Sequence, residues 1–362
     1  MQQRIAIIGG GIAGLAFAVY YKKLGGRVDI YERSALSGRE GLGFIMLENG
    51  LNALNQLGML DKTRNCGYTL SGCNIRDQHN TNLQSHALPN SFATTRKAFI
   101  DCLLSQIPAQ WLHFNYQFSH FEFEPDGHAS TAVFEGNKRI QADIFLGCDG
   151  GRSKVRQQIF PTAQTSHGKV NELVSIIDDV NLVKDLNRHF VKYKLQEGGL
   201  AVGMVPASSE RIVWFIQFDN QKYQLTGQSQ SDMWQFAQQT VGHFPKPVQH
   251  LIKYTDFNCS HLWQTRYLEP IAQYFHRNIV LLGDAAHALL PFTSQGVNSA
   301  MVDAIELASS LIDISAELVP LALAQYSKKR KLLADCYLSQ GIVLQDEFLQ
   351  CHHHEQKIPF AF

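Results

Sequence analysis

The stretch from residue 5 to residue 32 constrains this chain more than any other. It reads Ile5-Ala6-Ile7-Ile8, then Gly9-Gly10-Gly11-Ile12-Ala13-Gly14, then an apolar run to Leu24, then Val28-Asp29-Ile30-Tyr31-Glu32. Four apolar residues stopped by glycine predict a buried parallel strand. Gly9, Gly11 and Gly14 fill the three glycine places of G-x-G-x-x-G. The first permits a tight turn, the second lets backbone approach a pyrophosphate, and the third lets the next helix pack on the strand. That helix is predicted to be amphipathic, with Ile12, Leu15, Ala16, Val19 and Tyr20 at three- and four-residue spacing. Its N-terminus offers unpaired N–H groups and partial positive charge to phosphates. Glu32 ends the second strand, where a carboxylate can accept from a ribose hydroxyl. Strand, glycine turn, helix and acid-tipped strand together predict a dinucleotide site on an α/β fold.

With 362 residues the chain is long enough for two domains, and 45% hydrophobic against 18% charged residues marks it as globular. Its 32 basic and 32 acidic residues cancel, so no excess positive charge exists for nucleic acid. The seven cysteines are scattered without a C-x-x-C pair, as reduced thiols rather than a disulfide frame or zinc site would be. A first strand beginning at residue 5 leaves no room for a signal peptide. No apolar run reaches the ~20 residues of a membrane span. The expected compartment is the cytoplasm, and the expected state a monomer or homodimer.

After Glu32 a polar, glycine-rich loop carries Arg33, Arg39 and Gly43; a loop this long is expected to cover a site. A short helix follows at 50–57, then short strands and turns over 67–93. A helix should start at Thr94 or Thr95, with Ala98, Cys102, Leu103 and Ile107 inward. Arg96 falls in its first turn, against the helix dipole, where an anion would compensate it. Strands are predicted at 112–118, 121–124, 131–134 and 139–145. From 167 to 275 the texture becomes mostly antiparallel, with strands at 189–196, 200–206, 211–218 and near 257–267, and a helix at 231–244. Lys192 and Tyr193 fall on opposite faces of one strand, while Phe215 and Gln217 share a face of another. From 278 the first texture returns: a strand at 279–282, a loop, and helices at 297–314 and 322–350. The first domain therefore spans 1–70, 94–166 and 276–320. The second, 71–93 and 167–275, is inserted into it, and 321–362 is a C-terminal helical segment. Cys351-His352-His353-His354 lacks further spaced ligands and reads as a tail, so no metal is expected.

Two more motifs follow strands. Gly147-Cys148-Asp149-Gly150-Gly151-Arg152-Ser153 places Asp149 at a strand's C-terminal end and Ser153 as a helix cap ahead of Arg156. Gly283-Asp284-Ala285-Ala286-His287 leads through Pro291 and Phe292 to Gln295-Gly296-Val297-Asn298, a helix start aimed at an anion.

With all three motifs in order, the chain resembles the flavin-dependent aromatic hydroxylases, the single-component FAD monooxygenases of the p-hydroxybenzoate hydroxylase type. The resemblance spans nearly the whole chain. It implies a Rossmann-like FAD-binding domain with an inserted, mostly antiparallel β-sheet substrate domain and C-terminal helices. It implies FAD as cofactor and NAD(P)H, O2 and a small aromatic molecule as co-substrates, with oxygen transferred through a flavin C4a-hydroperoxide. By the same resemblance Gly9, Gly11, Ala13, Gly14, Glu32 and Arg33 serve the adenosine half. Arg39, Arg96, Asp149, Gly150 and Arg156 serve the middle of FAD, and the segment Gly41–Ile45, with Gly43, lies alongside the isoalloxazine ring. Asp284 takes the ribityl hydroxyls, and Gln295 to Asn298 face the reduced ring. Pro291 and Phe292 form a loop at the flavin and substrate. One departure stands out: where the family reads P-x-x-G-Q-G, this chain has Ser294, which is strained if the backbone there needs positive φ. The competing readings are a halogenase or reductase on the same fold, or a module that binds FAD without turnover.

Overall fold

In a computed structural model that describes residues 3–35, 43–89 and 91–351, the chain is a mixed α/β molecule built on two large sheets. The first has six strands, in the order Phe275–His276, Ile279–Leu281, Ile144–Gly147, Ile5–Ile8, Val28–Glu32 and Leu112–Phe114. All pair in parallel except the first two. Ile5–Ile8 and Ile144–Gly147 are buried at every position, which explains their unbroken apolar sequence. Chain order reverses between these two strands, so a crevice opens beyond their C-terminal ends.

The helix Ile12–Lys23 is buried on nearly all sides, not along one stripe; Phe17, Ala18 and Tyr21 are as deep as Leu15, and Tyr20 is only half-buried. It is covered by the sheet on one side and by the long helix Gln295–Leu311 on the other, with Tyr21 donating to the Leu311 carbonyl at 3.4 Å. The helix Arg96–Leu104 is capped by Thr95, whose hydroxyl accepts from Ala98 N–H, but its inner face is Phe99, Ile100 and Leu103. The expected strands at 112–118 and 139–145 each divide, because Phe118–Phe123 and Lys138–Gln141 leave the parallel sheet to pair with Ala129–Phe134 in a small antiparallel one.

The second sheet has seven strands: His261–Leu268, Thr165–Asp178, Arg211–Asp219, Leu200–Pro206, His189–Lys194, Gly72–Asp77 and Asn82–Ala87. Only His189–Lys194 and Gly72–Asp77 pair in parallel. One face of it packs under the helices Gln230–Val241 and Lys246–Tyr254 through Trp214, Ile216, Phe218 and Met204. The 14-residue strand Thr165–Asp178 and the second of those helices have no counterpart in the sequence reading.

A 31-residue helix, Val319–Leu349, braces both sheets. Near its start Tyr326 donates to the Leu281 carbonyl at 3.1 Å, and near its end Gln345 Oε1 accepts from Lys169 N–H at 2.8 Å. Among the described residues no helix is long and apolar enough to cross a membrane. His352 to His354 lie outside the described residues.

Candidate cofactor and substrate site

The three glycine-bearing turns meet at the crevice edge. Gly9 has φ +109°, and a Cβ there would collide with the Cys148 carbonyl, so the first turn abuts the second motif. A Cβ on Gly14 would stand 2.5 Å from Gly9 O and 2.9 Å from Ile7 Cγ2, which fixes glycine where helix meets strand. Gly283, at φ +58°, would bring a Cβ 3.0 Å from that of Ala13, so the third motif packs on the first helix. Arg156 ties the second motif to the third. Its guanidinium donates to Ala285 O at 2.8 Å, Asp284 O at 3.3 Å and Gly151 O at 2.6 Å.

Gly11 is different. Its φ is −80°, and a Cβ there would meet nothing closer than Cys148 O at 3.8 Å and Arg96 Nη2 at 3.9 Å. No atom of the described residues requires glycine at this place. The guanidinium of Arg96 thus lies beside the open side of the glycine turn, without an ion-pair or hydrogen-bond partner among the described residues. Glu32 orders the turn from the other flank: Oε2 accepts from Gly10 N–H at 2.7 Å and Oε1 from Ser34 N–H at 2.9 Å. Arg33 is exposed, and Arg39 lies outside the described residues.

The second motif caps its own helix. Asp149 Oδ2 accepts from Lys154 N–H at 2.7 Å and Val155 N–H at 3.2 Å, and Ser153 caps Lys154–Ile159. Asp149 Oδ1 is buried without a hydrogen-bond partner among the described residues, and burial pushes this carboxyl above its usual range. Gly150, at φ +83°, forms the adjoining turn with open space where a side chain would be. Asp284 is exposed at the mouth.

Ahead of the long helix, Ser294 adopts φ +53°, ψ +22°, the left-handed conformation that glycine occupies without strain. The first-turn N–H groups of Gln295 to Asn298 follow it. The side chains in this turn are structural: Asn298 donates to Ile45 O and Ser294 O and accepts from Leu47 N–H, while Gln295 accepts from Asn49. Val297 is half-buried against the main core. Gly43 pairs with Thr95, and a Cβ on it would stand 2.6 Å from Val213 Cγ2, so its glycine lets the strand Gly43–Met46 pack on the seven-stranded sheet.

Phe292 turns its side chain into a buried cluster. It is buried with Leu290, Val170, Ala201, Leu344 and Phe348, its ring 5.8 Å from that of Phe348. It anchors the loop to the second sheet, and Pro291 beside it stays half-buried at the start of the turn Pro291–Thr293.

Behind the third motif lies a cluster the sequence reading missed. Asp303 accepts from His287 Nε2 at 2.5 Å, Gly283 N–H at 3.0 Å and Arg330 Nε at 2.6 Å, all buried. Burial opposes its ionisation, but the charges of His287 and Arg330 prevail and hold it far below the usual carboxylate range. Burial likewise lowers His287, and the Asp303 carboxylate overcomes this and raises it. A carboxylate set inside the otherwise apolar stripe of a helix was the available signal.

Comparison with known proteins agrees with this geometry. The profile of a family described as "FAD binding domain" matches residues 2–340. An FAD-dependent urate hydroxylase of Mycolicibacterium vanbaalenii is 25% identical over 340 residues, covering 90% of this chain and 84% of the relative. An aurachin C monooxygenase/isomerase of Stigmatella aurantiaca is 27% identical over 334 residues, with 90% and 84% covered. The crystal structure of Klebsiella pneumoniae HpxO complexed with FAD and uric acid superposes with a TM-score of 0.86 at 21% identity, covering 96% of this chain and 89% of that one.

Proposed function

The chain belongs to the FAD binding domain family, and on that footing we propose that it is an FAD-dependent monooxygenase that hydroxylates a small aromatic or heteroaromatic substrate with NAD(P)H and O2. The observation that carries the reading is Gly11, a glycine whose missing side chain leaves space that no atom of the described residues fills, beside a guanidinium without a partner among those residues. Backbone amides and a cation around an open glycine suit a pyrophosphate.

In this reading Gly9 to Gly14 and Arg96 hold the pyrophosphate, and Glu32 receives the adenosine ribose. Asp284 and the spare oxygen of Asp149 accept from cofactor hydroxyls. The N–H groups at the start of Gln295–Leu311 would favour negative charge on a bound cofactor, by about 0.3–2 kcal/mol. Arg156 acts as a brace that fixes the second and third motifs relative to each other. We assign the cofactor to residues 1–70, 94–166 and 276–320, and the substrate to the sheet formed within 71–93 and 167–275. When bound, FAD supplies the redox chemistry: it takes a hydride from the nicotinamide and activates O2 for transfer to the ring. Phe292, by holding the 290–293 loop to the sheet, keeps water out of the space between them.

The test is direct. Purified protein should be yellow, and its NAD(P)H oxidation should accelerate when one of a panel of phenols, aromatic acids, quinolones and purines is added, with a product heavier by one oxygen. A colourless protein that takes up no FAD refutes the proposal.

A further inference from the structure

The face of the seven-stranded sheet turned away from its helices carries buried charge, Lys194 and Asp219 as well as the group described next. Lys192, Gln217 and Glu172 are each buried there, on three different strands. Lys192 Nζ donates to Gln217 Oε1 at 2.6 Å, and Gln217 Nε2 donates to Glu172 Oε1 at 2.6 Å. The lysine must cross the strand Leu200–Pro206 to do so. It can, because the residues it passes are Ala201 and Gly203, and a Cβ on Gly203 would collide with the Phe215 ring. Lys192 Nζ lies 5.9 Å from the centroid of Phe215 and 5.4 Å from that of Phe348. Phe215 packs with Ile45 and Leu47, and Phe348 with Leu290 and Phe292. Through Phe215 the ammonium is linked to the strand Gly43–Met46, and through Phe348 to the loop 290–293, the segments that the family resemblance sets at the flavin ring.

An ammonium has three N–H donors, and Gln217 is the one acceptor Lys192 finds among the described residues. Rings on two sides attract the cation weakly and accept no conventional hydrogen bond. Burial lowers Lys192 and raises Glu172 relative to their ordinary values, so the pair is held at a cost that a further partner would relieve. We propose that Lys192 is a specificity-determining residue that receives an oxyanion borne by the substrate ring, a phenolate or the equivalent enolate of a heteroaromatic ring, with Gln217 and Glu172 as positioning residues. Binding the anion sends the hydroxyl proton to solvent and leaves the ring electron-rich, as oxygen transfer to carbon requires. The inference rests on the monooxygenase reading.

The experiment uses the full chain loaded with FAD and two probes, 4-nitrophenol and 4-nitroanisole, which differ in the ability to ionise. Equilibrium dialysis gives each affinity, and the visible absorption of bound nitrophenol reports its ionised form. Wild type should bind the phenolate at least about tenfold more tightly than the anisole, as a charge-assisted bond in a dry site supplies. Lys192→Met should bring the two to parity with anisole affinity and flavin content unchanged, and Lys192→Arg should restore part of the preference. Lys192→Gln, which keeps a polar contact to Gln217, is run beside them in case the methionine variant does not fold. A preference that survives loss of the ammonium, or a yellow wild type that prefers neither probe or binds neither, overturns this inference alone. A wild type that takes up no FAD brings down the proposed function as well.

Discussion

Gly11→Ala separates a glycine kept for folding from one kept for a ligand. Its φ of −80° suits alanine, and the added Cβ would have 3.8 Å to Cys148 O and 3.9 Å to Arg96 Nη2, ordinary van der Waals contacts. Folding stability without cofactor should therefore change by less than about 0.5 kcal/mol, or rise slightly as the unfolded chain loses freedom. In the FAD-bound protein the same methyl projects into the space assigned to the pyrophosphate. Losing one charge-assisted backbone hydrogen bond costs about 1.5–3 kcal/mol, or roughly ten- to a hundredfold in affinity.

The assay reads both quantities. Flavin fluorescence titration gives the affinity, and chemical denaturation with and without FAD gives the linked stability. At FAD one hundred times its dissociation constant, wild type should gain about 2.7 kcal/mol. A variant weakened about a hundredfold gains roughly 0.4 kcal/mol at the same concentration, by the same relation. Gly14→Ala is the control, since its Cβ would stand 2.5 Å from Gly9 O and must destabilise the protein with or without FAD. The reasoning fails if Gly11→Ala binds FAD as wild type does, or if it unfolds the apoprotein as Gly14→Ala should.

Asp284→Ala, at an exposed carboxylate, should weaken FAD about tenfold in the same titration and leave the denaturation midpoint of the apoprotein unmoved. Ser294→Gly relieves a left-handed backbone at φ +53° and should raise apoprotein stability by up to about 1 kcal/mol; an unchanged or lower midpoint would show the strain is absent. Asp303→Asn leaves Arg330 and His287 buried without a countercharge and should cost about 3–5 kcal/mol by denaturation. Because His287 is raised in the folded state, its contribution is complete below the unfolded histidine value near 6.5 and is lost as pH rises through the folded one. Wild type should thus lose stability with pH above that point through this residue, and Asp303→Asn should lack that slope.

The parts of the molecule legible in sequence were those whose signal is local. A glycine needed where strand turns into helix, as at Gly14 against Gly9 O and Ile7, depends on neighbours a few residues away, and its spacing is therefore fixed in the chain. Ser294 was legible for the same reason: a left-handed position ahead of a helix is a property of one turn. The strand Thr165–Asp178 escaped because its first half mixes Ser166, His167, Gly168 and Lys169 and pairs through an irregularity between His167 and Asn171, which breaks the alternation a strand should show. The helix Lys246–Tyr254 escaped because Pro247 reads as a breaker, although a proline in the first turn removes an N–H that has no partner anyway.

The partners of the buried charges were invisible for a deeper reason. Asp303 is tolerable at zero exposure only because Arg330 comes from a helix 27 residues on and His287 from a turn 16 residues back. Lys192 is tolerable only because Gln217 reaches it over a strand whose side chains are small. Nothing in a residue's own neighbourhood announces such a partner, so the pattern rule places these charges outside. Their burial has a cost, and the two groups meet it differently. Asp303 has a full set of donors and behaves as a keystone behind the Gly283 turn, so its removal should act on stability first. Among the described residues Lys192 keeps donors unfilled beside the Phe348 ring, so its removal should act on ligand choice first. The count of unfilled valences, more than depth, is what divides a structural charge from one waiting for substrate.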